Sequence, residues 1–176
     1  KNIYRKLPYK TVAVTGTNGK TSVVWYLSQI LSKLNYNTCT SGTLGFFRNG
    51  KKINDTYLTT PAYEELYKYG HYPKERNFFI FEASSHALDQ NRIGNYPIDI
   101  AAITNLSHDH LDYHKNMESY FQAKKLLFSK HLKADGLAFI NIDDNYGKRI
   151  ANELSDQNIV TISSYDQDAD IYWSDP

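Results

Sequence analysis

The chain has 176 residues, with 20 Lys and Arg against 19 Asp and Glu and a formal net charge of +1. That length supports one sizeable domain with its own core, and the near-neutral charge argues against a nucleic-acid partner. The single cysteine, Cys39, excludes an internal disulfide framework and suits a reducing cytoplasm, while no apolar run approaches membrane-spanning length or signal-peptide form.

After a basic lead-in, Lys1 to Lys10, the β-branched run Thr11 to Thr15 predicts a buried strand. It ends in Gly16-Thr17-Asn18-Gly19-Lys20-Thr21-Ser22, and a helix-period segment follows with Val23, Val24, Leu27, Ile30, Leu31 and Leu34 on one predicted face. Strand, glycine loop, lysine and helix start together predict a phosphate cradle, because glycines let backbone N–H groups approach the oxygens at a positively polarised helix end. In such a loop Lys20 reaches the β- and γ-phosphates and the Thr21 hydroxyl holds Mg²⁺. Val14 stands where the consensus G-x-x-x-x-G-K-[ST] has its first glycine. An ordinary turn would account for Gly and Asn but does not require the Lys-Thr pair.

Asn37 to Thr40 is a second strand candidate, running into the small-residue loop Ser41 to Gly45, and Asn49-Gly50 is a hairpin signal within Phe46 to Tyr57. Thr60 reads as an N-cap with Pro61 at the first helical position, for a helix ending near Gly70 and followed by a polar loop, His71 to Asn77. Phe78 to Phe81 is continuously apolar, as a strand buried on both faces requires, and it delivers Glu82, a carboxylate that could hold Mg²⁺. His86 reads most simply as a packed, hydrogen-bonded histidine. Ile98 to Thr104 is another buried strand, followed by Asn105 and a loop with His108, Asp109, His110, Asp112 and His114. Those are zinc-type ligands, yet a phosphate loop calls for oxygen-seeking Mg²⁺, so loop-orienting hydrogen bonds are the simpler role for His108 and His114. Helical spacing over Met117 to Leu132 puts Lys124 near the middle of an apolar stripe and Lys125 at its edge. An inward lysine is costly unless paired or chemically changed, whereas one that snorkels outward is not. A strand at Gly136 to Asn141, a helix at Asn145 to Leu154 and a strand at Ile159 to Ile162 follow, and the chain stops as Ile171 to Pro176 enters another strand.

Apolar strands alternating with helices predict an α/β fold, a doubly wound, mostly parallel sheet flanked by helices and P-loop NTPase-like at its first strand. Ligands bind beyond the carboxyl ends of such strands, where the Gly16 loop, Glu82 and the His108–His114 loop all fall.

Gly16 to Thr21, Glu82-Ala83-Ser84-Ser85-His86-Ala87-Leu88, Thr104-Asn105-Leu106, Asp109-His110-Leu111-Asp112-Tyr113-His114 and Ala123-Lys124 together resemble the Mur ligase family, most nearly its MurE type. The resemblance runs from about Thr11 to about Gly147 and corresponds to the family's central, ATP-binding domain. It implies a 1–176 fragment that lacks an N-terminal uridine-nucleotide domain and a C-terminal amino-acid domain, and that is inactive by itself. The implied reaction adds the third stem-peptide residue of peptidoglycan to UDP-N-acetylmuramoyl-L-alanyl-D-glutamate through an acyl phosphate, in the bacterial cytoplasm and by a monomer.

Residue by residue, the resemblance puts Gly16, Thr17, Asn18, Gly19, Lys20, Thr21 and Ser22 on ATP. It makes Thr21, Glu82, His110 and a carbamylated Lys124 the magnesium ligands, with Lys20, Lys124 and His110 catalytic. Thr59, Thr60, Ser84, Gln90 and Arg92 match positions that bind the muramoyl dipeptide; Leu58 departs from the pattern, standing where many members carry Asn. A folylpolyglutamate synthase-like ligase shares the phosphate loop but not the Ser84–Leu88 and Thr59–Pro61 stretches. A non-catalytic Mur-like module would bind ATP without depending on Lys124.

Overall fold

Strands covered by helices on both sides must be apolar on both faces. In the computed structural model, which describes residues 10–70 and 77–174, the strands β1 (Lys10–Thr15), β5 (Asn77–Glu82) and β6 (Ile98–Ile103) meet that demand and lie side by side in parallel. Between β1 and β5 the chain forms α1 (Lys20–Lys33), β2 (Asn37–Gly42), β3 (Gly45–Arg48), β4 (Lys51–Asn54) and α2 (Tyr63–Gly70). The short helix α3 (Ser85–Asp89) follows β5, and α4 (Leu111–His114) follows β6. Next, α5 (Met117–Leu126) passes through a π-helical turn at Leu127–His131 into β7 (Leu132–Asn141). The described chain then adds α6 (Asn145–Glu153), β8 (Asn158–Ser163) and β9 (Ile171–Tyr172).

The strand order is β4-β3-β2-β5-β1-β6-β7-β8-β9, parallel except for the β2-β3-β4 meander. The doubly wound, mostly parallel sheet expected from the sequence is therefore the fold. The meander turns at Asn49 and Gly50, both at positive φ as a tight hairpin demands. Its other turn is only Thr43-Leu44, so Ser41 and Gly42 belong to a strand, not to the predicted loop.

Side-chain alternation divides the core. Val12, Val14 and Ile80 meet Val24, Leu27 and Leu31 of α1 on one face. On the other, Phe79, Phe81, Ala101 and Ile103 pack beneath α2, α3, α5 and α6. The predicted inner stripe of α1 is corrected: Val24 and Ser28 are buried, whereas Ile30 and Leu34 are 56% and 61% exposed. At about 100° per residue, Val24, Ser28 and Leu31 form the line against the sheet. Val23, Leu27 and Leu31 also line an open apolar groove of about 750 Å³ over Ile100, Ala102 and Phe139.

Three further boundaries differ from expectation. The second helix begins at Tyr63 because Thr60, expected as its cap, is fully buried against Glu82 and Ser84. The single predicted helix over 117–132 is α5 plus the π-helical turn, and β7 starts at Leu132, ahead of the expected Gly136. The lead-in before Lys10 and residues 71–76 of the loop predicted over His71 to Asn77 lie outside the described residues, and Asn77 itself opens β5.

Phe81 is fully buried, with ring centroids 5.4 Å from Phe79 and 6.2 Å from Tyr96. Phe81→Ala is expected to cost about 3–5 kcal/mol, read as a lower urea midpoint at unchanged slope. A loss below about 1 kcal/mol would mean that the surrounding aromatics collapse into the space.

Candidate active site

Three strands deliver residues to the same edge of the sheet: β1 gives Gly16, β5 gives Glu82, and β6 leads to Thr104 and Asn105. Gly16 has φ +140°, and a Cβ there would stand 1.9 Å from Thr104 Oγ1, so only glycine fits where β6 crosses behind the loop. The β6 end also braces the loop. Thr17 N–H donates to Asn105 O at 2.9 Å and Asn18 N–H to Asn105 Oδ1 at 3.0 Å, while Thr104 Oγ1 donates to Asn18 O at 2.5 Å. Lys20 Nζ folds over the loop, donating to Gly16 O at 2.8 Å and Thr17 O at 2.9 Å. Burial lowers the pKa of this ammonium, opposed by attraction to Glu82 and Asp109.

Glu82 is 1% exposed and both oxygens of its carboxylate accept hydrogen bonds. Thr21 Oγ1 donates to Oε2 at 2.9 Å, Thr43 N–H to Oε1 at 2.8 Å and Thr43 Oγ1 to Oε2 at 3.3 Å. A Cβ on Gly42 would lie 2.0 Å from Oε1, so the strand backbone forms the wall of the cradle. A hydroxyl and a carboxylate in contact beside a phosphate loop offer hard oxygen ligands and leave other coordination positions to water and phosphate. That donor set fits Mg²⁺.

Lys124 points inward, as its helical position predicts: it is 1% exposed, donates to Gly16 O at 2.8 Å and lies 4.5 Å over the Tyr120 ring. Lys125 faces outward and pairs with Glu153. Burial, and then the charge of Lys20, bring the Lys124 pKa down to about 7. Two lysines thus converge on one carbonyl, an arrangement that calls for anions.

His110 sits in left-handed backbone at φ 50°, its N–H donating to Asp109 Oδ1 at 2.8 Å and its Nε2 3.5 Å from Asp109 Oδ2. Its ring stands 5.0 Å from that of His86, which also meets Tyr113 and His114. The pKa values of His86 and His114 are both pushed down, by burial first and then by neighbouring histidines. Among the described residues, no three His, Cys, Asp or Glu side chains are grouped so as to hold a metal ion by themselves.

A cleft of about 420 Å³ opens beside Glu82, lined by Leu58, Thr59, Ser84, His86, Gln90, Arg92 and His110. Four of the five residues expected to bind substrate therefore face one space. Thr60 lies behind it, its Oγ1 2.8 Å from Glu82 O and 3.1 Å from Ser84 Oγ while accepting the Ser84 N–H, so it builds the wall. Arg92 Nη1 donates to Thr60 O at 2.8 Å, and Gln90 Nε2 donates to the Tyr113 hydroxyl at 3.1 Å.

Residues without a role in the sequence reading also build the site: Thr43, Thr104, Asn105, and Tyr120, whose hydroxyl is 3.2 Å from Thr17 Oγ1. The sequence marks Thr104 and Asn105 by their place after a buried strand and within a family motif, without a role for either; nothing local marks Tyr120.

The family model described as Mur ligase middle domain matches residues 14–175. The UDP-N-acetylmuramoyl-L-alanyl-D-glutamate--2,6-diaminopimelate ligase of Rickettsia bellii is 41% identical over 161 residues, 89% of this chain and 34% of that protein. The UDP-N-acetylmuramyl-tripeptide synthetase of Tropheryma whipplei is 37% identical over 177 residues, 98% of this chain and 34% of its own length. A solved structure of a UDP-N-acetylmuramoyl-L-alanyl-D-glutamate--2,6-diaminopimelate ligase superposes with a TM-score of 0.79 at 36% identity, over 96% of this chain and 34% of that one. The chain spans about a third of the length of these relatives. A family match over nearly every residue, with the phosphate loop, Glu82 and Lys124 meeting at one sheet edge, shows that this chain belongs to the Mur ligase middle-domain family.

Proposed function

We propose that this chain is the ATP-binding centre of a ligase that adds the third stem-peptide residue to UDP-N-acetylmuramoyl-L-alanyl-D-glutamate in peptidoglycan precursor synthesis. The observation that carries the reading is the meeting of two half-sites at Glu82. A phosphate loop with Lys20, Thr21 and Lys124 lies on one side, and a cleft with Thr59, Ser84, Gln90 and Arg92 on the other. The names of the relatives agree with it.

In this reading the substrate carboxylate, steered by Arg92 and Ser84, attacks the γ-phosphorus of ATP. The bond to the β-phosphate oxygen breaks, and ADP departs from the acyl phosphate. The incoming amine then attacks the acyl carbon, forming the amide and expelling phosphate. Phosphoryl transfer of this kind needs positioning and charge neutralisation more than a protein nucleophile. Lys20 offers an ammonium to the transferring group. Thr21, Glu82, His110 and Lys124 as a carbamate would hold Mg²⁺, whose chemistry here is to neutralise phosphate charge. The buried Lys124 amine, with its pKa near 7, gains the carbamate by attacking CO₂, forming an N–C bond and releasing one proton.

The remaining length of the enzyme would hold the uridine nucleotide and the amino acid, so the 176 residues alone would not complete the reaction. The enzyme would work in the bacterial cytoplasm as a monomer, without nucleic-acid or membrane partners; no helix among the described residues is long and apolar enough to cross a membrane.

Titration of the chain with a non-hydrolysable ATP analogue and Mg²⁺ tests the site. The wild type is expected to bind, and Lys20→Ala to bind at least about tenfold more weakly, a charge-assisted hydrogen bond being worth about 1.5–3 kcal/mol. Equal affinity for the two forms, or no binding by either, would overturn the reading.

A further inference from the structure

Thr43 belongs neither to the phosphate loop nor to the substrate motifs. It occupies the two-residue turn between β2 and β3, yet it makes two of the three hydrogen bonds that hold the Glu82 carboxylate, one to each oxygen. Its hydroxyl is also 3.3 Å from Thr59 Oγ1, which lines the neighbouring cleft. A hydroxyl carries a single proton, and an ionised carboxylate only accepts. When Thr43 donates to Glu82, the Thr43–Thr59 contact therefore has one direction: Thr59 donates to Thr43. The result is an ordered relay from the substrate cleft to the metal-facing carboxylate.

The third bond is different in kind. Thr21 Oγ1 donates to Glu82 Oε2 at 2.9 Å, but that oxygen is itself a candidate magnesium ligand. If the Thr21 oxygen were given to a cation, its proton would turn away from this contact. The two contacts from Thr43 would then still orient the carboxylate.

We propose that Thr43 is a positioning residue that fixes Glu82 for the metal and couples it, through Thr59, to occupancy of the substrate cleft. The inference rests on the ATP-site reading above and adds to it a residue and a direction of coupling.

The test uses Mn²⁺ as a paramagnetic probe, with free ion counted by electron paramagnetic resonance in the presence of saturating ATP analogue. Thr43→Val keeps the branched shape and the backbone N–H but loses the hydroxyl; Thr43→Ser keeps the hydroxyl. Thr43→Val is expected to weaken Mn²⁺ uptake about tenfold, the lower end of what partners of ligating groups contribute. Nucleotide affinity without metal should stay within about twofold, and Thr43→Ser should bind Mn²⁺ within about twofold of wild type, the scatter of an unperturbed site. Thr59→Val should weaken uptake when Thr43 is present and add nothing in the Thr43→Val background.

Wild-type Mn²⁺ uptake by Thr43→Val, or a Thr43→Ser chain as weak as Thr43→Val, would overturn the proposal while leaving the ATP site intact. A wild-type chain that takes up no Mn²⁺ with nucleotide would overturn the ATP-site reading and this inference with it.

Discussion

Lys124→Met is expected to leave the domain more stable at neutral pH while removing its capacity to support phosphoryl transfer. The lysine is 1% exposed and its pKa falls from 10.5 to about 7, chiefly through burial. Between those values the unfolded chain holds a proton that the folded chain has released, so wild-type stability rises with pH across that window. Below pH 7 both states are protonated and the cost of burying the charge is borne in full. Methionine fills a similar volume without the charge, and such replacements of buried charge are worth about 1–4 kcal/mol. Thermal melts should therefore favour Lys124→Met most below pH 7, with the gap closing as pH approaches 10.5. In the intact enzyme the same change removes the amine that would become a magnesium-holding carbamate, for a loss of about 10²–10³ in turnover. Labelled bicarbonate should give a carbamate ¹³C resonance in the wild type above pH 7 and none in the variant. A variant less stable than wild type at pH 7, or a gap that does not narrow with pH, would show that the buried ammonium is not under strain.

What the sequence made legible follows from contrast. Phe78 to Phe81 is apolar without a break and leads to Glu82, and the fold uses it as a strand covered on both faces. Lys124 was legible because Phe121, Leu127 and Phe128 define a stripe against which one lysine stands out, and all three are buried. The inner face of α1 was not, because Val23, Trp25, Tyr26, Leu27, Ile30 and Leu34 spread apolar character around the helix. The buried line runs through a serine instead. Thr60 shows local preference overridden: its capping chemistry is real, but the hydroxyl is drawn to the β5 end 22 residues away. Thr43 and Tyr120 act through contacts 39 and 103 residues distant in sequence, and no local spacing encodes such pairs.

Gly42→Ala should disable the same centre from the opposite wall. Gly42 lies in the extended backbone of β2, a conformation any residue adopts, so the effect comes from space alone. The new methyl would stand 2.0 Å from Glu82 Oε1, 2.7 Å from Cδ and 2.8 Å from Cγ. Glu82 cannot retreat cheaply, because Ala83 beside it is fully buried and its own carbonyl accepts from Thr60. The carboxylate must therefore swing out of reach of Thr21 and Thr43, and a buried acid that loses its donors is costly. We expect a stability loss of about 1–3 kcal/mol, as overpacking produces, and metal-dependent nucleotide binding weakened about 10–100-fold. Glu82→Gln separates the two effects, since it keeps the shape and removes the charge: metal uptake should fall with little change in melting temperature. If Gly42→Ala instead binds Mg²⁺ and nucleotide as the wild type does, the carboxylate finds a second working position, and the close approach of β2 is a packing detail without a role in the site.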